Sequence, residues 1–173
     1  EKHSDQSEST YHPFDIFNKI KRAEWDTLFF FYGVILCVGG LASIGYLDVA
    51  SNAMYQQWGT NLPAIHQATP ANITVGILSA IVDNIPVMFA VLTMMPHMSE
   101  GQWLLVTLTA GIGGSMLSIG SAAGVALMGQ AKGFYTFFGH LKWTWAIALG
   151  YFAAIAVHLW LNHKLFLLPP VVH

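Results

Sequence analysis

Charge is what this sequence has least of. Asp, Glu, Lys and Arg make up 9% of its 173 residues, against about 25% in an ordinary globular chain. Apolar residues make up 54%, and the two figures together describe a polytopic membrane protein rather than a soluble domain. There is no basic stripe, so nucleic-acid binding is unsupported. The one cysteine, Cys37, lies inside an apolar run and excludes an intrachain disulfide. The Gly129–Gly133 stretch (GQAKG) lacks the Gly-Lys-Ser/Thr ending of a phosphate loop. No Ser-His-Asp order points to a hydrolase and no histidine spacing to zinc. A transporter without a cofactor is therefore expected before an enzyme.

Long uncharged runs fill the rest. Residues 1–14 are polar and read as a tail or linker. The chain opens on Glu1 with no signal-like front, so it is expected to be part of a longer protein. Residues 15–25 (DIFNKIKRAEW) suit an interfacial amphipathic helix, and a membrane domain follows over 26–168. Its first expected span, 27–47, has 21 residues without a charge, about 31 Å as a helix, enough to cross the hydrocarbon. The stretch 50–70 reads as an interfacial connector. Segments 71–98, 102–131 and 143–163 are the further membrane elements. Trp25, Trp58, Trp103, Trp143, Trp145 and Trp160 fall mostly near span ends, as an aromatic belt does.

Asp83 interrupts this pattern. It is the only Asp, Glu, Lys or Arg between Asp48 and Glu100, with apolar sequence on both sides. A carboxylate at membrane depth costs about 2.5–3.5 kcal/mol or more and by default marks a functional site. The stretch 71–98 admits two readings: a single span, or a re-entrant hairpin turning at Asp83-Asn84-Ile85-Pro86. Charge placement favours the hairpin. With Lys19, Lys21 and Arg22 inside, a hairpin also puts Lys132 and Lys142 inside, whereas a full span would put them outside.

Gly111–Gly124 holds five glycines and three serines. Within 102–131 it leaves room for two half-helices joined by an unwound patch, tolerated in a bilayer only against protein or a watery cavity. A hairpin plus a broken helix is a recurring architecture of midplane transporter sites. No internal sequence repeat is visible. Asp83 is the candidate ligand for sodium or lithium, exchangeable for a proton. Asn84, Pro86, Ser115, Ser118 and Ser121 complete the candidate ion-binding or pathway set. Each has a plainer reading: Asp83 as a helix cap or structural pair, the serines as small residues for helix packing, with Gly120-x-x-x-Gly124 of the same kind. His140 and His158 are the candidate pH sensors, against ordinary hydrogen-bonded histidines.

Several blocks together resemble one family. Ser79–Met88 (SAIVDNIPVM), Gly113–Gly129 (GGSMLSIGSAAGVALMG) and Tyr135–Tyr151 (YTFFGHLKWTWAIALGY) look like the C-terminal half of NhaD-type sodium/proton antiporters. Glu24–Phe31 and Gly101–Thr107 also fit, so the resemblance covers roughly residues 15–164. It implies an all-α membrane protein of the ion transporter superfamily. The chain would form one inverted repeat, with a re-entrant helical hairpin and a discontinuous transmembrane helix. Asp83-Asn84-Ile85-Pro86 would be the outer hairpin tip, with Gly113–Gly124 facing it. Sodium or lithium ions and protons are the implied substrates, and the bacterial inner membrane the implied location. The lipid bilayer, a missing N-terminal repeat and a second copy of the protein are the implied partners. The alternatives are an arsenite, oxyanion or dicarboxylate carrier of the same superfamily, or a non-transporting membrane subunit.

Overall fold

Helices account for every regular element of the computed structural model, which describes residues 16–21, 25–131 and 133–170. The polar tail 1–14, Asp15 and Arg22 of the expected amphipathic helix, and Lys132 lie outside the described residues. Helix α1 (Ile16–Lys21) precedes α2 (Trp25–Ser43). The long first helix stops at Ser43, short of the expected end at Leu47, because Gly45 adopts the left-handed conformation at φ +83°. That conformation costs glycine little and costs a residue with a Cβ more. Beyond it, α3 (Tyr46–Ser51) and a π-helical segment (Asn52–Gln57) run at 80° to α2. The expected connector is thus partly helical, with a short 3₁₀ turn at Ala64–His66.

Two short helices follow, α4 (Thr69–Ser79) and α5 (Asn84–Met94). At 11 residues each they are about 16 Å long, roughly half of a hydrocarbon core. Val75 of α4 and Val87 and Val91 of α5 share one buried cluster with Tyr55, Met98 and Val106. A straight helix would hold Val75 and Val91 about 24 Å apart, so the chain doubles back. The turn occupies Ala80–Asp83, earlier than the expected Asp83–Pro86. Pro86 sits instead in the first turn of α5, where the N–H that proline lacks would have had no intrahelical acceptor.

Helix α6 (Glu100–Gly113) ends at an irregular stretch, 114–121, and α7 (Ala122–Gln130) resumes beyond it. Then come α8 (Phe137–Leu141), α9 (Thr144–Leu161) and α10 (His163–Phe166). Among the described residues, α9 alone is long and apolar enough to cross a bilayer as one straight helix; α2 passes only together with the segment bent from it. Trp145, Leu149, Phe152 and Trp160 of α9 are exposed, as a lipid-facing surface would be.

The α4–α6 pair is the centre of the packing. A Cβ added at Gly113 would land on the carbonyl oxygen of Gly76, and one at Gly76 on Thr109 and the Tyr151 hydroxyl. Small residues permit this backbone approach. A seam of hydrogen bonds runs along the contact. Ser79 Oγ donates to Ala110 O at 2.8 Å, and Thr109 Oγ1 to Asn72 O at 2.8 Å. Asn72 Nδ2 donates to Gln102 Oε1 at 2.8 Å, and Gln102 Nε2 to Thr69 Oγ1 at 2.8 Å and Ile65 O at 2.9 Å. Tyr55 OH reaches Asn72 Oδ1 at 3.2 Å, and Tyr151 OH reaches Ile73 O at 2.7 Å. Asn72, Ser79 and Thr109 are completely buried. Losing one partner of such a pair leaves a buried polar group unsatisfied, at about 1–3 kcal/mol.

Two alanine substitutions on α6 separate this contact from general helix effects. Gly113→Ala should lower the thermal stability of the detergent-solubilised full-length protein by about 1–3 kcal/mol. Gly111→Ala, with open space around its Cβ, should leave it unchanged or slightly raised. Equal melting temperatures for the two variants would remove the close contact from its structural role.

Candidate ion-binding site

The seam between α4 and α6 leads directly to Asp83. At its lower end, Ser79 and Ala80 turn their carbonyls onto the irregular stretch after α6. A Cβ at Gly120 would strike Ala80 O, and one at Gly114 would approach Gly120 O and Ser79 Oγ. The turn between α4 and α5 therefore lies against the break between α6 and α7. Ala80 and Met116 join one buried cluster with Leu105, Tyr151, Ile155 and Phe166, which anchors both to α9.

Asp83 is the N-cap residue of α5, with φ −48° and ψ 143°, yet its side chain makes no capping bond. The residue is half-buried, and its carboxylate has no hydrogen bond or ion pair among the described residues. The plain capping role is thus not what the carboxylate does here. It sits at the positive end of the α5 dipole, which favours an anion by about 0.3–1 kcal/mol. Asn84 lies one residue on and borders an apolar groove of about 400 Å³ shared with Met88, Leu92, Thr107 and Gly111. Pro86 shapes the start of α5 rather than the turn itself.

The three serines part company. Ser115 is exposed, and its carbonyl accepts from His140 Nε2 at 3.0 Å. Ser118 is buried, 2% exposed, and directs Oγ at Met128 Sδ at 3.4 Å, a weak contact. Ser121 caps α7, its Oγ accepting from Gly124 N at 3.1 Å. All three belong to the break or its edge. Gly120 and Gly124 do not form a helix–helix stripe: Gly120 packs on the α4–α5 turn and Gly124 on the Ser118 carbonyl.

Both candidate pH sensors are hydrogen-bonded on both ring nitrogens. His140 Nδ1 meets Tyr135 OH at 2.7 Å. His158, buried against Phe166, places Nε2 3.0 Å from Gly101 O and Nδ1 2.9 Å from Asn162 Nδ2. Facing a carbonyl, each Nε2 must carry its proton. No group of three His, Cys, Asp or Glu side chains converges on a metal-sized site among the described residues.

Asn72, Gln102, Thr109 and Tyr151, the side chains that fasten α4 to its neighbours, were not singled out by the sequence. The available signal was weak: uncharged polar residues inside runs otherwise apolar.

Comparison with known proteins bears out the resemblance read from the sequence blocks. The chain is 64% identical over 154 residues to the Na(+)/H(+) antiporter NhaD of Alkalimonas amylolytica, covering 89% of this chain and 30% of that protein. It is 70% identical over 139 residues to NhaD of Vibrio parahaemolyticus, covering 80% and 32%. Sodium/proton antiporter 1 of Arabidopsis thaliana is 36% identical over 159 residues, covering 88% and 26%. The chain thus spans about a third of the length of these relatives or less. No solved structure matches. The citrate transporter family model matches residues 15–111, more than half of the chain, and the chain belongs to that family of membrane transporters.

Proposed function

We propose that this chain carries the ion-handling hairpin and broken helix of a sodium (or lithium)/proton antiporter of the bacterial inner membrane. The observation that carries this reading is the carboxylate of Asp83. It is unpartnered among the described residues, it stands in an apolar helix pair, and it lies at a turn packed on a helix break. An unpaired carboxylate at that depth is costly, and a bound sodium ion or a proton offsets the cost. One carboxylate that holds either but not both is the minimum device for exchange. Carbonyls freed by an unwound helix are the usual further ligands for such an ion. In this reading Asn84, Ser115, Ser118 and Ser121 line the site or its approach, and Pro86 fixes the start of α5.

The pair α4–α5 is then a re-entrant hairpin and α6–α7 a discontinuous membrane helix, together one of two inverted repeats. The other repeat, which completes the site, and a second copy of the protein are the proposed partners. Outside, Asp83 releases the cation and takes a proton; inside, it exchanges that proton for a cation, and the proton gradient drives export. The names of the relatives support sodium/proton exchange. An anionic substrate such as citrate or a dicarboxylate would meet the charge of Asp83 at close range, which disfavours it.

In everted vesicles carrying the full-length protein, sodium or lithium should collapse an established pH gradient at alkaline pH, while potassium and arsenite should not. A gradient indifferent to sodium and lithium would rule out the antiport reading. Asp83→Asn should reduce exchange to the level of vesicles without the protein. Ser118→Ala, losing one oxygen, should raise the apparent KM for sodium about fivefold. Undiminished exchange by Asp83→Asn would move the ion elsewhere. Topology is tested separately. Asp48 and His97 border one cavity of about 310 Å³, so cysteines at the two positions should label from the same side of the membrane. Labelling from opposite sides would make α4–α5 a full span.

A further inference from the structure

A broken helix exposes carbonyls that no backbone donor reaches, and this break shows what takes two of them. In a continuous helix, Ser115 O and Met116 O would accept from the backbone N–H groups four residues on. From Ser115 to Gly120 the backbone makes only short turns: Ser115 N to Ile112 O, Met116 N to Gly113 O and Gly120 N to Leu117 O. The carbonyls of Ser115 and Met116 are filled by side chains 25 and 28 residues further along. His140 Nε2 donates to Ser115 O at 3.0 Å and Thr144 Oγ1 to Met116 O at 2.9 Å. The remaining ring nitrogen of His140 is held by Tyr135 OH at 2.7 Å, so the imidazole is fixed from both sides. Thr144 is the first residue of α9, whose Tyr151 bonds Ile73 O of α4. The clamp therefore ties the break to the helix that also buttresses the hairpin.

We infer that His140 and Thr144 are positioning residues: they set the conformation of the break from Gly114 to Ser121, and through it the affinity of the site for the transported cation. Neither touches the ion. The role requires a hydrogen-bond donor, not a titrating group, since His140 Nε2–H donates to Ser115 O whether or not Nδ1 is protonated. The effect on transport rests on the antiport reading above; the effect on the break does not.

Two readouts on the full-length protein, with native cysteines replaced, separate these. In everted vesicles, His140→Ala and Thr144→Val should each raise the apparent KM for sodium about 3–10-fold at near-normal maximal rate. His140→Gln and Thr144→Ser, which keep a donor, should stay near the native value. In a Ser118→Cys background, the thiol should be protected from maleimide in native membranes and become reactive when Thr144→Val or His140→Ala is added. If His140→Ala does not reach the membrane, Thr144→Val, nearly identical in shape to threonine, decides. An unchanged KM, or a fall in maximal rate that the donor-retaining variants do not rescue, overturns the inference. A thiol that stays protected in the donorless variants also overturns it. If the native protein exchanges no sodium, the antiport reading fails, and thiol protection alone decides the role of the clamp.

Discussion

Gly76 and Gly113 bring two helix backbones into direct contact, and the packing of α4, α6 and α9 is built around that point. Two backbones that approach with no side chain between them fix the level at which α4 and α6 cross. Once they cross there, Asn72 meets Gln102, Thr109 meets Asn72 O and Ser79 meets Ala110 O. Interhelical hydrogen bonds in a membrane are worth about 0.6 kcal/mol each on average. They matter here as a set, because all lie on one interface and several are fully buried. The same crossing brings the end of α4 onto Gly120, and so the turn before Asp83 onto the break. Everything proposed for the ion follows from that juxtaposition.

The two arms of the helix pair are held differently. α4 is hydrogen-bonded to α6 and, through Tyr151, to α9. α5 is held by apolar burial: Val87 and Val91 lie in the cluster around Tyr55, and among the described residues its side-chain hydrogen bond, Thr93 to Phe89 O, is internal. Asp83 stands where the fastened arm gives way to the arm held by packing alone. The break is fastened in turn by side chains from residues 137–144. The carboxylate thus ends a turn whose first residue, Ala80, is packed on Gly120 of the braced break.

Much of this was legible in the sequence, for definite physical reasons. A lone acid in an apolar run is visible because charge is rare there, and five glycines among three serines within fourteen residues announce a weak helix. The blocks around Asp83 and Gly113 carried the family. What stayed hidden was set by distance or by one backbone angle. Asn72 and Gln102 are 30 residues apart and Ile73 and Tyr151 are 78 apart, so no local pattern records their pairing. The bend after Ser43 rests on the single left-handed Gly45, inside a run whose composition otherwise reads as continuous helix. Asp-Asn-Ile-Pro reads as the turn because proline disfavours helical geometry at the residue before it and asparagine forms turns. In the first turn of a helix proline is tolerated, and the turn moved three residues upstream.

In the proposed exchange the Asp83 carboxylate itself binds the transported cation, or a proton in its place. The most direct measurement is carbodiimide labelling of Asp83 in the purified full-length protein, read by mass spectrometry across a sodium titration at fixed pH and ionic strength. Protection of Asp83 by sodium and lithium, but not by potassium, is the expected result. Labelling that does not change with sodium, in a preparation active in exchange, would contradict it.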